Sequence, residues 1–166
     1  MTWRPMQETD MDAVTAISDA VHGDYTEPLE VYAERRELFP SGCFVFDRGQ
    51  GVEGYLITHP WRHGGPPPLG ELMGPLPQGA DCLYLHDLAL LPSARGSGAG
   101  ARAADMALAI AVEHGLHDIY LLAVNGAETF WTSRGYVPVT EKALIAYLRK
   151  IYGDVVYMHQ RVEVAS

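Results

Sequence analysis

Leu83-Tyr84-Leu85-His86-Asp87-Leu88-Ala89-Leu90-Leu91-Pro92-Ser93-Ala94-Arg95-Gly96-Ser97-Gly98-Ala99-Gly100-Ala101 reads as strand, turn and helix start. Tyr84 to Leu91 is almost uninterruptedly apolar, as a central strand buried on both faces must be, and Pro92 stops it because proline brings no ladder donor. Three glycines at alternate positions then open an alanine-rich helix. Glycine takes positive φ and admits a ligand close to the backbone, while the first amides of a helix have no intrahelical acceptor. Those amides, the helix dipole and Arg95 together suit a phosphate or pyrophosphate.

The 166 residues around this stretch predict one domain spanning 1–166, and 48% apolar residues suffice for a substantial core. The apolar runs are too short to span a membrane, and Met1-Thr2-Trp3-Arg4-Pro5 lacks the layout of a signal peptide, so the expectation is a soluble cytoplasmic protein with no membrane partner. Cys43 and Cys82 are isolated and read as buried, inert thiols, and no metal site is expected. With 21 acidic against 12 basic residues and a net charge of -9, the field repels nucleic acid and tolerates a cationic acceptor such as an amine.

Taken from the start, Thr2 to Gln7 alternates like a short strand. A helix over Asp10–His22 follows, with Met11, Val14, Ile17 and Val21 on one face, and a second helical pattern begins after Pro28. Cys43–Asp47 and Val52–His59 are strands joined by the hairpin turn Arg48-Gly49-Gln50-Gly51. Pro60–Asp81 holds most of the prolines and reads as a long loop, either a binding element to which His59, Trp61 and His63 contribute or a poorly ordered crossover with Trp61 packed on the surface. Beyond the glycine turn come a helix over Ala101–His114 and a buried strand Ile119–Val124. Together with the opening strand they form a parallel βαβ unit. A short helix after Asn125, a strand from Tyr136, a helical or irregular segment Glu141–Tyr152 and a final antiparallel strand Val155–Val164 complete the pattern.

This order of elements, with the glycine turn between the fourth strand and the third helix, resembles the GCN5-related N-acetyltransferase (GNAT) superfamily over nearly the whole chain. Arg95-Gly96-Ser97-Gly98-Ala99-Gly100, continuing into Ala101, is similar to that family's pyrophosphate-binding turn. Leu88-Ala89-Leu90 stands where the family pairs a strand with the pantetheine arm. Asn125, Phe130-Trp131 and Arg134-Gly135-Tyr136 resemble its second signature. The resemblance implies an α/β (α+β) fold: a mixed sheet of about seven strands with a splayed parallel pair and about four helices. It also implies acetyl-CoA as co-substrate and transfer to a primary amine of a small molecule or peptide; the oligomeric state stays open, a homodimer being one option.

The chemistry asks for an anion nest continuous with an exposed strand edge. Separation of the strands ending near Leu90 and Val124 frees backbone at Leu88 and Leu90, and Asn125 can bond the acyl arm from the other side. Amine attack on a thioester needs a proton acceptor, and His86 is the candidate, placed by alternation on the side of Leu88 and Leu90. Alternation puts Asp87 on the opposite face, as a structural group or a contact for a cationic acceptor. Tyr84 shares the face of His86. The family's tyrosine donor to the departing thiolate is replaced here by Trp131, whose indole has no comparably acidic proton; Trp131 is expected against the CoA arm or the core, and Tyr136 is a weaker donor candidate.

Gly96, Gly98 and Ala101 also fit a dinucleotide-binding spacing, but the second strand ends in Asn125 rather than an acidic residue. A P-loop fails for want of Gly-Lys-Ser/Thr. The serious alternative to a transferase is an inactive acyl-CoA-binding sensor, because of Trp131.

Overall fold

The computed structural model describes residues 2–163. Strands β1 (Trp3–Pro5), β2 (Cys43–Asp47), β3 (Val52–Trp61), β4 (Cys82–Leu90), β5 (Asp118–Ala123), β6 (Val137–Pro138) and β7 (Val156–Arg161) form one sheet in the order β1-β2-β3-β4-β5-β7-β6. All pairings are antiparallel except β4 with β5. Five α-helices flank the sheet: α1 (Met11–His22), α2 (Leu29–Leu38), α3 (Ala99–Glu113), α4 (Glu128–Ser133) and α5 (Lys142–Tyr152). The segment whose sequence leaves it helical or irregular is thus helix α5. Strand β3 runs on to Trp61, two residues past its expected end, so the long connection begins at residue 62.

One sheet face packs against α3. Ala103, Ala104, Ala107 and Ala111 meet Leu83, Leu85, Ile119, Leu121 and Met158, and the small side chains let the helix lie close. The other face carries α1 and α2, whose Met11, Val14, Ile17 and Tyr32 cover Val45, Tyr55, Ile57 and Ala89. Gly54 permits the central pairing, because a Cβ there would stand 2.5 Å from Leu90 Cδ2 and 2.9 Å from the Ala89 carbonyl. Cys43 and Cys82 are buried free thiols, as their isolation suggests.

Two irregularities shape the middle of the sheet. The β4–β5 ladder joins only Leu83, Tyr84 and Leu85 to Ile119, Tyr120 and Leu121; beyond these residues the strands no longer pair. Strand β4 also carries a bulge. Ile57 pairs with Asp87 and Thr58 with Leu85, leaving His86 as the extra residue. The bulge corrects the simple alternation: Leu83, Leu85 and Leu88 pack on the α3 side, whereas His86 and Asp87 both bond to groups of the α1–α2 side. His86 therefore does not share a face with Leu88 and Leu90, and Asp87 is its neighbour on the same face.

The connection over residues 62–81 is strapped down by one carboxylate before α2 and one in the middle of it. Glu27 accepts from the Gly70 amide at 2.8 Å, and Glu34 accepts from the Met73 and Gly74 amides at 2.7 and 2.9 Å. Arg35, fully buried, is paired with Glu34 and donates to the Glu71 carbonyl.

Candidate active site

At the start of α3 the backbone makes a concave turn. Gly96 and Gly98 take φ of 80° and 88°, and Gly98 is the N-cap residue. A Cβ on either would meet nothing within 4 Å. Among the described hydrogen bonds, the amides of Gly96, Gly98, Gly100 and Ala101 reach no protein acceptor, while Ser97 Oγ accepts from the Ala99 amide. Four free amides around a helix start are the groups from which an anion nest is built. Gly100 is close-packed instead, since a Cβ would lie 3.3 Å from the Phe130 ring. Arg95 beside the turn is exposed, and its guanidinium makes no hydrogen bond among the described residues.

A cavity of about 470 Å³ opens where β4 and β5 separate. It brings together His86, Leu88, Arg95, Asn125 and Trp131 from the sequence-derived set. Ala89 and Leu90 do not line it: Ala89 is buried against the α1–α2 side, and Leu90 packs with Phe46, Ala94 and Ala99. The glycine turn lies outside it, adjoining through Arg95. His59 and Trp61, read from the sequence as giving the long loop binding character, are also absent from its wall. His59 is fully buried, and burial with His86 nearby pushes its imidazole down to about 3, while the Trp61 indole donates to the Gly65 carbonyl. His63 stacks on Tyr120 and bonds Glu141. Pro66, Pro67 and Leu69 of the same connection supply the apolar cover.

The polar end of the cavity holds two imidazole–carboxylate pairs. His86 Nε2 lies 2.7 Å from Glu27 Oε1, and His22 Nε2 lies 2.6 Å from Asp87 Oδ1. Burial alone would raise Glu27, yet the His86 imidazole and the Gly70 amide outweigh it and hold the carboxyl below its ordinary range. Asp87 follows the same logic: burial pushes it up, and His22, His86 and the Tyr55 hydroxyl at 2.6 Å bring it below normal. Both are carboxylates, which only accept, so each histidine donates through Nε2–H and keeps its Nδ1 for other work. Burial depresses His22, but the charge and hydrogen bond of Asp87 overcome this and place it above the ordinary imidazole.

Asn125 sits at φ 54°, a left-handed conformation that asparagine tolerates, and its amide donates to the His22 carbonyl at 3.4 Å. Trp131 is only 6% exposed and lies edge-on to Phe130 and Tyr136. It belongs to both the core and the cavity wall. Tyr136 is buried with an unpartnered hydroxyl and does not line the cavity. His22 and Glu27 escape sequence reasoning because they reach their partners across 65 and 59 positions. The signal available was that both stand at the break between the first two helices.

The sequence pattern of the Acetyltransferase (GNAT) family matches residues 7–136. No curated protein sequence matches the chain significantly. Among solved structures, GphF, a GNAT-like decarboxylase in complex with isobutyryl-CoA, superposes with a TM-score of 0.76 at 15% identity, covering 98% of this chain and 100% of that one. Ard1 from Thermoplasma volcanium gives 0.74 at 15% identity over 98% and 97% of the two chains. Naa20 of Chaetomium thermophilum in complex with a bisubstrate analogue gives 0.70 at 17% identity over 98% and 87%. These likenesses establish the shared fold.

Proposed function

This chain belongs to the GNAT acetyltransferase family, and from that premise we propose that it transfers an acetyl group from acetyl-CoA to a primary amine of a small molecule or peptide. The observation that carries the reading is the separation of β4 and β5 after Leu85 and Leu121, which opens a cavity between an unpaired-amide nest and a pair of carboxylate-backed imidazoles.

The donor set fits acetyl-CoA: the free amides of Gly96, Gly98, Gly100 and Ala101 and the uncommitted Arg95 suit a pyrophosphate. Unpaired backbone of β4 around Leu88 and Leu90, with Asn125 across the gap, suits the amide-bearing arm. Bound acetyl-CoA supplies the electrophilic thioester carbonyl. His86 takes the amine's proton in this reading. Glu27 fixes its Nε2–H, which leaves the Nδ1 lone pair as acceptor, and that nitrogen has no partner among the described residues. Pro66, Pro67 and Leu69 give the site one apolar wall.

Calorimetry tests the binding half: acetyl-CoA binds and NADH does not, and the reverse result ends the reading. For the chemical half, His86→Ala lowers thiol release and removes the acid limb of the pH–rate profile, with acetyl-CoA affinity kept. An unaltered profile removes His86 as the base. Trp131 at the expected tyrosine position favours a second reading, a non-catalytic acyl-CoA sensor; binding without thiol release across a panel of amines would select it.

A further inference from the structure

We infer that His22, backed by Asp87, is the proton donor to the departing CoA thiolate. The inference rests on the transferase reading above.

His22 closes α1 and stands over the mouth between the separating strands. Its ring bonds Asp87 on β4, two residues past the last β4–β5 pair, and its carbonyl receives the Asn125 amide from the end of β5. It lines the same cavity as Trp131 and Arg95. Its Nε2 is committed to Asp87, while its Nδ1 has no hydrogen bond among the described residues and is not among the buried unpartnered atoms. The free nitrogen is therefore reachable.

The other hydrogen-bearing groups near the gap are poorly suited. Trp131 offers only an indole N–H. Tyr25 commits its hydroxyl to the Tyr152 carbonyl at 2.6 Å, and Tyr136 lies outside the cavity. Burial raises the Tyr84 and Tyr152 phenols above their ordinary value, making them weaker acids. His86 is occupied on Nε2 by Glu27, and its Nδ1 is the acceptor for the amine.

The step balances as follows. The C–S bond breaks with its electron pair going to sulfur, and sulfur takes the proton from His22 Nδ1. The imidazole left behind is neutral, with Nε2–H still on Asp87. Water returns a proton to Nδ1 and the proton taken from the neutral amine leaves through His86, so the two cancel; an amine that arrives as ammonium gives up one further proton before attack, and only that one is released. An imidazolium raised above the ordinary value transfers its proton downhill as long as it stays a stronger acid than the thiol, whose pKa is roughly 8.5. The groups facing His22 are Asp87 and His86 from β4, Glu27 and Tyr25 from the segment after α1, Tyr55 behind Asp87 on β3, Tyr152 at the end of α5 and the uncharged Asn125 beyond β5. Asp87 and Glu27 are the nearby anions that favour the imidazolium.

The test combines imidazole nitrogen NMR on the free protein with kinetics of His22→Gln. The NMR titration should place His22 above the ordinary imidazole range, with Nε2 protonated throughout and Nδ1 gaining and losing the proton; Asp87→Asn should lower it. In kinetics the wild-type rate should fall on the basic side of that titration. His22→Gln should lose this limb and about 100-fold in kcat, with acetyl-CoA affinity by calorimetry unchanged. Persistence of the basic limb in His22→Gln, loss of the acid limb instead, or titration at Nε2 overturns the inference. Absence of acetyl-CoA binding by the wild type would instead overturn the transferase reading. If Asp87→Asn does not fold because Tyr55 loses its acceptor, His22→Gln carries the test alone.

Discussion

Removing Glu27 should loosen the cavity cover and the His86 imidazole together. Its carboxylate, 4% exposed, holds His86 Nε2 at 2.7 Å through one oxygen and the Gly70 amide at 2.8 Å through the other. Each hydrogen bond to a charged group contributes about 1.5–3 kcal/mol, and truncating one member of a buried pair costs about 3–5 kcal/mol. Domains of this kind have roughly 5–15 kcal/mol in total, so Glu27→Ala should remain folded with its melting temperature lowered by roughly 6–20 °C, at about 2–4 °C per kcal/mol for this length. Glu27→Gln should lose less. Its carbonyl can keep the Gly70 amide, and its amide can face His86 once the imidazole proton moves to Nδ1. Thermal melts measure the total. Amide exchange localises it: the Gly70 amide should exchange quickly in Glu27→Ala while central-strand amides stay protected. A melting temperature within a degree or two of wild type, with Gly70 still protected, would refute the claim that one side chain holds both elements.

Gly98→Val should abolish acetyl-CoA binding in calorimetry while the circular dichroism stays native, because the new side chain enters the open space above the free amides and φ of 88° adds about 1–2 kcal/mol of strain. Unchanged affinity would remove the nest from the site. Arg95→Ala should weaken acetyl-CoA about tenfold, some 1.4 kcal/mol, and leave the melting temperature alone, since its guanidinium bonds nothing in the described protein; a large drop in melting temperature would contradict that. The Asp10, Glu27 and Asp87 carboxyls are held below their ordinary values of 3.8, 4.5 and 3.8, so their stabilisation is complete above that range and is lost as pH falls through their lowered values. His22 is raised above 6.5, so its contribution is full below that value and fades as pH climbs through the raised one. The urea midpoint should fall on acidification below about 4.5 in wild type, and a flat acid profile would refute the pairing.

The glycine turn, the apolar central strand and the alanine-rich helix were legible because each is dictated locally: glycine by positive φ at Gly96 and Gly98, alanine by the close approach of α3 to the sheet. Leu88, Arg95, Asn125, Trp131 and His86 duly meet at one cavity. Strict alternation failed at His86, since a bulge depends on how β3 and β4 register, which neither strand encodes alone. The histidine–carboxylate pairs were hidden for a related reason. His22 and Glu27 lie in and after α1, and only tertiary packing delivers them to β4. His59 and Trp61 misled because β3 continues past its expected end at His59: His59 is fully buried within the strand, and Trp61, half-buried, is a strand residue rather than a loop residue.

The bulge at His86 acts as a parity device. A regular strand gives each face every second residue, so two adjacent side chains could never both serve one cavity while the leucines on either side kept facing the same helix. One surplus residue changes the count by one and returns the pattern to its starting phase. Deleting a single residue between Leu85 and Leu88 would restore regularity at the wrong price: one of the two side chains that receive Glu27 and His22 would vanish, with no loss of apolar core. Length along this strand, as much as the identity of its residues, sets the number of imidazole–carboxylate pairs that the fold can bring to its gap.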